Sequence, residues 1–173
     1  MAHLNLSEIA KKLDKASLSL TIADMEHEDA PLIYANAAFS DMTGYPLSEI
    51  LHQNCRFLQG SLDNTTPRQI IRQALATGSS AQATFNNVRR DGSPLTTLLL
   101  LEPLKDRKGR LLYMVGSQFS VKPETTREGV VTHARQVSAE IDHLLEVNQQ
   151  LRANTRKSLA NTAVAAVRLW LDG

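Results

Sequence analysis

The spacing of apolar positions divides the chain into three parts. Residues 4–17 carry one helical stripe, in which apolar residues recur three, four and three positions apart: Leu6, Ile9, Leu13 and Ala16. Residues 18–121 instead mix short alternating runs with short helical ones, and from residue 122 onward the spacing is helical again. The pattern predicts an N-terminal cap helix over residues 1–17, a core over 18–121 and a C-terminal extension of two helices over 122–173.

Five apolar and β-branched runs in the core predict short strands. They cover Leu18–Asp24, Leu32–Tyr34, Ala81–Arg89, Pro94–Leu104 and Arg110–Val121. Helical spacing between the second and third strands predicts three helices: Asn36–Thr43, Pro46–Leu51 and Asn64–Ala76, the last with Ile70, Ile71, Ala74 and Leu75 as its apolar side. Arg90-Asp91-Gly92 is a strong hairpin signal. The core is therefore expected to be an α+β fold, with a five-stranded antiparallel sheet and short helices on one face.

Composition narrows the class of protein without naming a function. Of 173 residues 42% are hydrophobic, which is enough for a packed core, and the net charge of +1 creates no general attraction to nucleic acid or membrane. The longest apolar run, Leu98–Leu101, is too short to span a bilayer, and the N-terminus lacks the pattern of a signal peptide. A cytoplasmic protein with no membrane partner is expected.

Alternation along the strands predicts that three polar side chains face the interior. Asn87 shares a face with Ala83 and Phe85, and Thr97 shares one with leucines. The last strand is ambiguous, because both of its faces carry apolar residues; if Leu112, Met114 and Gly116 point inward, Gln118 does too. Buried amides and hydroxyls need partners, which are either one another or a planar heteroaromatic ligand. Apolar walls for such a ring are expected from Leu58, Leu99, Leu101 and Met114.

The only cysteine lies in the segment Asn54-Cys55-Arg56-Phe57-Leu58-Gln59-Gly60. A lone free cysteine is usually a small buried hydrophobe, but here it adjoins an arginine and two amides. Arg68 and Arg72 follow four residues apart on one helix face. These arginines form either a solvated surface or, with Arg56, an anchor for a phosphate. Amides for a ring, apolar walls and arginines for a phosphate together describe a site for flavin mononucleotide (FMN).

These motifs resemble the LOV family, the blue-light-sensing flavin branch of the PAS domains, over about residues 18–121. The cysteine segment matches the hallmark motif of that family, and Gly116-Ser117-Gln118 resembles its closing Gly-x-Gln. Further similar runs are Tyr34-Ala35-Asn36-Ala37-Ala38-Phe39, Met42-Thr43-Gly44-Tyr45 and Asn87-Val88-Arg89-Arg90-Asp91-Gly92. The chain resembles the bacterial short LOV proteins, which have flanking helices in place of a covalently attached effector.

The resemblance implies a PAS/LOV fold and a blue-light photoreceptor rather than an enzyme. It implies that Cys55 bonds reversibly to the C4a carbon of FMN in the light and that Gln118 contacts flavin N5. By the same resemblance, Asn87 reads the pyrimidine edge, Asn54 and Gln59 line the ribityl chain, and the arginines hold the phosphate. The full set of implied cofactor-binding residues is Thr21, Asn54, Arg56, Leu58, Gln59, Arg68, Arg72, Asn87, Thr97, Leu99, Leu101, Met114, Gly116 and Gln118. The short connection Gly60–Thr66 favours FMN over FAD.

Two positions depart from the family pattern. Thr97 replaces a usual asparagine, and a hydroxyl makes fewer hydrogen bonds than an amide. His52 replaces a usual glycine, so a positive φ there costs strain. A cysteine hydrolase with Cys55 as nucleophile and His52 as base is the enzyme alternative, but no third group or oxyanion hole is evident.

The C-terminal extension suggests how the protein associates. Between residues 130 and 151, apolar positions and Asn148 are spaced alternately four and three apart, which fits either packing on the core or a dimeric coiled coil. Asn148 at an a position favours a homodimer, which we expect to form through the N- and C-terminal helices. Basic and acidic residues balance in this segment, which disfavours nucleic acid as a partner. A DNA-binding or protein-interaction module acting through these helices is the alternative, and the downstream partner is unknown.

Overall fold

The computed structural model describes residues 13, 14, 16–106, 108–121 and 139. Five strands form the sheet: β1 (Ser19–Asp24), β2 (Leu32–Ala35), β3 (Ala81–Val88), β4 (Pro94–Lys105) and β5 (Leu111–Ser120). Three α-helices and one 3₁₀ helix connect β2 to β3: α1 (Ala37–Thr43), α2 (Leu47–Ile50), the 3₁₀ helix (Cys55–Gln59) and α3 (Thr65–Thr77). The α+β fold and its antiparallel sheet are confirmed.

The sheet has the order β2-β1-β5-β4-β3, with every neighbouring pair antiparallel. The first strand of the core therefore lies beside the last one, with Thr21 opposite Gly116 and Ser19 opposite Gln118. The same register places Gln118 opposite Leu99 of β4. Since directly opposed residues share a face, this register resolves the ambiguity of β5: Met114, Gly116 and Gln118 face the same side as Thr21 and Leu99.

Local chemistry explains where the helices begin and end. Asn36 caps α1 by accepting from the Phe39 amide, and Gly44 ends that helix in the left-handed conformation with φ 75°. The fully buried Asn36 side chain also accepts from Leu20 N–H and donates to the carbonyl of Leu18. One side chain thus joins the start of α1 to β1 and to the segment that precedes β1.

The two faces of the sheet bury different groups. The helices pack on the face that carries Ala23 and Ala35, around a cluster that includes Phe39, Ile50 and Leu58. The opposite face holds a second cluster: Leu13, Leu18, Leu20, Ile22, Tyr34, Leu104, Leu112, Tyr113 and Val115. Leu13 is 1% exposed, so the end of the predicted N-terminal stripe packs against the core domain.

Some predictions need correction or lie outside the described residues. The apolar side predicted for α3 is wrong at Ile70, which is 41% exposed. Ile70 and Ile71 are adjacent and therefore about 100° apart on a helix, so only one of them faces the sheet. Most of the predicted cap helix and all of the predicted C-terminal helices except Ala139 lie outside the described residues. In the part of the chain that the structure describes, no helix is long and apolar enough to cross a membrane.

Candidate functional site

A cavity of about 740 Å³, including the space at its mouth, lies between the helical face of the sheet and the segments that cover it. The 3₁₀ helix and α3 form one wall, and the loop between β1 and β2 borders the mouth through Met25 and Ala30. All of the predicted site residues except Arg68 and Arg72 line it: Thr21, Asn54, Cys55, Arg56, Leu58, Gln59, Asn87, Thr97, Leu99, Leu101, Met114, Gly116 and Gln118. A mostly apolar cavity with a few convergent polar groups is the usual form of a small-molecule site.

The thiol of Cys55 and the amide of Gln118 meet in this cavity. Gln118 Nε2 donates a hydrogen bond to Cys55 Sγ over 3.3 Å. Gln118 is 4% exposed, and its Oε1 is buried with no hydrogen-bond partner among the described residues. An unpaired buried carbonyl oxygen is costly, so the site is chemically complete only when a donor reaches that oxygen.

Burial raises the pKa of the Cys55 thiol to about 11, although the hydrogen bond from Gln118 partly opposes this rise. Burial disfavours the thiolate because the charge loses its hydration, whereas the amide donor favours it. The thiol is therefore neutral and protonated at neutral pH. Asn54 begins the 3₁₀ helix that carries the thiol, since its side chain accepts from the Arg56 amide over 3.0 Å.

A second pair of polar groups lies on β3 and β4. Asn87 Nδ2 donates to Thr97 Oγ1 over 2.9 Å, and both side chains are buried. The hydroxyl found in place of the usual asparagine thus accepts from the amide of its neighbour. Asn87 faces the cavity beside this bond, so the remaining donor and acceptor positions of its amide can bind a ligand.

Gly116 makes a close approach possible at the floor of the cavity. A Cβ atom at Gly116 would lie 2.7 Å from Thr21 Oγ1 and 3.5 Å from Leu101 Cδ2. The Thr21 hydroxyl donates a long hydrogen bond of 3.4 Å to the Gly116 carbonyl. Glycine at this position therefore leaves a shallow depression between β1, β5 and β4, into which a flat ligand can settle.

The three predicted arginines have different environments. Arg56 is at the mouth of the cavity, where its guanidinium pairs with Asp29 at 2.6 Å. Arg68 donates to Gln59 Oε1 over 2.6 Å but does not line the cavity, and Arg72 is exposed on α3 and does not line it either. Arg68 and Arg72 share one face of α3, as their spacing predicts, but only Arg68 approaches the cavity, through its contact with the lining residue Gln59.

Left-handed backbone occurs at three non-glycine residues next to the site. His52 has φ 68°, and Asp29 and Ala30 have φ 67° and 45°. The conditional prediction of strain at His52 is thereby confirmed, since a side chain other than glycine is disfavoured in this region. The loop conformation at Asp29 is held by Asn54, whose Nδ2 donates to the Asp29 carbonyl over 2.6 Å.

The structure adds lining residues that the sequence did not assign to the site: Ala23, Met25, Ala30, Leu32, Ile71, Leu75 and Phe85. Alternation from Thr21 would have placed Ala23 on the same face. Met25 and Ala30 belong to an irregular loop, which has no periodicity to interpret. Asn64 was also missed: it is 1% exposed and exchanges hydrogen bonds with the backbone of Asn86, which ties the start of α3 to β3.

Comparison with known proteins gives consistent matches along the chain. The PAS domain family matches residues 19–121. Phototropin-1A of Oryza sativa subsp. japonica is 34% identical over 160 residues, which are 91% of this chain and 17% of that protein. Blue-light-activated histidine kinase 2 of Erythrobacter litoralis is 37% identical over 125 residues, which are 72% of this chain and 36% of that protein. The chain therefore spans only a minor part of these relatives.

Solved structures also match, two of them similar in length to this chain. The LOV protein of Rhodobacter sphaeroides is 34% identical with a TM-score of 0.75, and the alignment covers 80% of this chain and 81% of that one. A variant of the protein RsLOV is 35% identical with a TM-score of 0.77, and the alignment covers 98% of this chain and 99% of that one. An RNA-binding light-oxygen-voltage receptor is 33% identical with a TM-score of 0.64, over 79% of this chain and 38% of that one.

Proposed function

Since this chain belongs to the LOV branch of the PAS domain family, we propose that it is a flavin-binding blue-light sensor that signals through a reversible bond between Cys55 and the flavin. The observation that carries the proposal is the contact between the partly buried Cys55 and the buried Gln118 amide in one cavity. FMN is the cofactor that we propose.

The residues of the cavity fit a flavin. The Gln118 amide can donate to an acceptor nitrogen of the ring, the Asn87 amide suits the donor–acceptor edge of a pyrimidine ring, and the depression at Gly116 accepts a flat ring. Leu58, Leu99, Leu101 and Met114 supply apolar walls. When bound, the flavin supplies blue-light absorption and an electrophilic carbon.

The proposed bond between Cys55 and the flavin needs no reactant from outside the site. With a flavin bound, the Cys55 S–H bond would break, Sγ would bond to C4a and the thiol proton would pass to N5, so no external oxidant or reductant would be needed. The raised pKa of Cys55 supports this assignment, because a neutral thiol brings its own proton to the step. In the reverse step the Sγ–C4a bond would break and the N5 proton would return to sulfur, which restores the dark state.

We propose that Gln118 carries the signal to the sheet. Protonation of N5 turns an acceptor into a donor, so the Gln118 amide must rotate to present Oε1 in place of Nε2. Gln118 lies on β5, which pairs with both β1 and β4, so its rotation acts on the centre of the sheet. Gln118→Leu should keep the thiol reaction while weakening the light-induced structural change.

The preference for FMN rests on Arg56 in this proposal. Arg56 lies at the cavity mouth, where it can meet a terminal phosphate once it leaves Asp29. Arg68, held against Gln59, supplies a second positive charge nearby, whereas Arg72 would have to swing toward the mouth. The short connection Gly60–Thr66 leaves no added segment to enclose an adenosine group.

Homodimerisation through the terminal helices is the second part of the proposal. It is supported by the helical stripes of the sequence, including Asn148 at an a position. Of the residues in these stripes, the structure describes only Leu13 and Ala16. Size-exclusion chromatography of the full chain and of a variant lacking residues 125–173, in dark and light, tests it. A truncated core that dimerises as tightly as the full chain would contradict dimerisation through the C-terminal helices.

The competing functions find less support. A cysteine hydrolase needs a thiolate paired with a base, but the Cys55 pKa is raised and the amide of Gln118 cannot accept its proton. Most of the RNA-binding receptor lies outside its alignment with this chain, so the likeness gives no reason to assign RNA binding here.

The decisive experiment compares the purified chain with Cys55→Ala. We expect both to bind one oxidised flavin, and only the unsubstituted chain to bleach reversibly in blue light and recover in the dark. Mass spectrometry and the absorption spectrum identify the flavin and its stoichiometry. A colourless purified chain that fails to take up FMN, or a Cys55→Ala variant that bleaches like the unsubstituted chain, contradicts the proposal.

A further inference from the structure

The loop between β1 and β2 covers the cavity without a buried anchor of its own. Met25 and Ala30 line the cavity, and the residues between them are exposed. Residues 23–31 are all described by the structure and none of them is fully buried, although Ile22 and Leu32 on either side are. A segment with few buried apolar contacts can open at low cost while the core around it stays folded. We call residues 25–30 the strap.

The other two segments that cover the cavity are anchored. Leu58 of the 3₁₀ helix is 1% exposed and packs in the cluster under the helices. In α3, Ala74 is buried, and Asn64 at its start exchanges hydrogen bonds with the backbone of Asn86 on β3. Of the described segments that cover the cavity, the strap therefore moves at the lowest cost.

Two ion pairs join the strap to different parts of the core. Glu26 pairs with Arg110, just before β5, at 3.1 Å, and Asp29 pairs with Arg56 of the 3₁₀ helix at 2.6 Å. Asn54 adds a hydrogen bond from Nδ2 to the Asp29 carbonyl over 2.6 Å. Both arginine side chains are more than half exposed, so each ion pair is weak and easily broken.

The strap has one end fixed by the sheet and one end under strain. Met25 N–H donates to the Leu112 carbonyl of β5 over 2.9 Å, which holds the start of the strap. At the other end, Asp29 and Ala30 have φ values of 67° and 45°, in the left-handed region that is costly for residues other than glycine. Opening releases this cost, so the closed position depends on weak ion pairs that oppose backbone strain.

We propose that the strap is a gate through which FMN enters and leaves the cavity, and that the Glu26–Arg110 pair is one of its latches. The inference rests on the proposed function for the identity of the ligand, whereas the opening is a property of the chain itself. In the open position Met25 and Ala30 leave the lining of the cavity, and the walls formed by the sheet and α3 stay in place. Cys55 lines the same cavity, so reagents reach its thiol more readily when the strap is open.

Glu26→Gln in the full chain tests the latch, because Glu26 does not line the cavity. A gate that opens more often speeds passage in both directions. We therefore expect the rates of FMN uptake and FMN release to rise together by about 2–5-fold, the factor expected for loss of one exposed ion pair. Their ratio, the dissociation constant, should not change. Flavin fluorescence measures uptake after rapid mixing and release after a large dilution.

Two control variants separate the latch from other effects of the substitution. Glu28→Gln removes the same charge from the strap, but Glu28 forms no ion pair with a described residue. Glu49→Gln breaks an exposed pair with Arg90 that does not line the cavity. Both controls should keep the rates of the unsubstituted chain. Equal acceleration in Glu28→Gln, or a change in release alone in Glu26→Gln, would contradict the gate.

Alkylation of Cys55, the only cysteine of the chain, gives a readout that needs no flavin. In refolded full chain without FMN, at one fixed pH, iodoacetamide should modify Glu26→Gln about 2–5 times faster than the unsubstituted chain and both controls. A chain that takes up no FMN refutes the proposed function, and the alkylation rates still decide whether the strap opens. If the chain takes up FMN but Glu26→Gln changes neither the FMN rates nor the alkylation, this inference is wrong and the proposed function stands.

Discussion

Gln118 and Cys55 lie 63 positions apart in the chain, yet Gln118 Nε2 donates to Cys55 Sγ over 3.3 Å. The 3₁₀ helix presents the thiol from one wall, and β5 presents the amide from the other. This contact keeps a polarisable sulfur and a rotatable amide side by side in a mostly apolar cavity. Because of this contact, the protonation of the thiol and the orientation of the amide depend on each other.

Thiol reactivity should show the raised pKa of Cys55. In purified protein kept in the dark, we expect the rate of alkylation by iodoacetamide to rise with a midpoint near pH 11. Protein unfolded in denaturant should show a midpoint near the ordinary thiol value of 9.0, because burial no longer disfavours the thiolate. Equal midpoints in the folded and unfolded protein would contradict the buried environment of the thiol.

The same pKa has a consequence for stability. A raised folded-state pKa favours the neutral thiol, so the stabilisation is complete below pH 9 and is lost as pH rises toward about 11. We expect the free energy of unfolding of the unsubstituted chain to fall more steeply than that of Cys55→Ala over this window. Urea titrations of the two proteins at several pH values measure the difference, and parallel profiles would count against it.

Asp29→Asn should strengthen the preference for FMN over riboflavin. Asp29 pairs with Arg56 at 2.6 Å and would thereby compete with the phosphate of the proposed FMN for the guanidinium. Both side chains are more than half exposed, so we expect a gain of only about 2–5-fold in relative affinity. Arg56→Ala is the matched control and should reduce the preference. Titration of refolded apoprotein with both flavins measures it, and an unchanged ratio in both variants would exclude this role for the pair.

Gly116→Ala should destabilise the fold by about 1–3 kcal/mol, because overpacking displaces neighbouring atoms. The added Cβ meets Thr21 Oγ1 at 2.7 Å, so the clash is with one identified atom. The double variant Gly116→Ala/Thr21→Ala should recover most of the loss, whereas Thr21→Ala alone should change little. Urea denaturation of the four proteins forms a double-mutant cycle, and additive effects would show that the clash lies elsewhere.

His52→Gly should raise the free energy of unfolding by about 0.5–1 kcal/mol, because glycine adopts the left-handed region without the steric cost. His52 has φ 68° and is exposed, so little packing is lost. The control is Asp41→Gly in the interior of α1, where the added freedom of the unfolded chain should lower stability instead. A similar loss in both variants would mean that the histidine contributes an interaction that outweighs its strain.

Periodicity predicted the strands and the inward direction of the polar residues on β3 and β4, because both depend on which residues share a face, whereas the roles of the cysteine segment came from the family resemblance. Asn87 and Thr97 were assigned inward from their apolar neighbours alone, and both are buried. Gln118 could not be assigned in this way, since seven consecutive residues of β5 are buried and neither face is polar. Its direction follows only from the pairing of β5 with β1, which is a long-range contact that local spacing does not contain.

The remaining differences arise from irregular backbone and competing partners. Five residues of 3₁₀ helix are too few for a periodic signal, so the shape of the cysteine segment could not be predicted. The pairing of Arg56 with Asp29 depends on a loop whose left-handed residues bring a distant carboxylate to the cavity mouth. The predicted cap helix, the C-terminal helices and the domain boundaries stay predictions.

The strand order also determines when the core can form. β1 and β5 are adjacent in the sheet but are separated by most of the core in sequence, so joining them closes a long loop and makes folding slow for a domain of this size. A nascent chain that ends before β5 has neither Gly116 nor Gln118, and β1 and β4 lack the strand that unites them. Uptake of the proposed flavin would therefore wait for the late steps of synthesis, because the cavity lacks the side chains of β5 until that strand has joined the sheet.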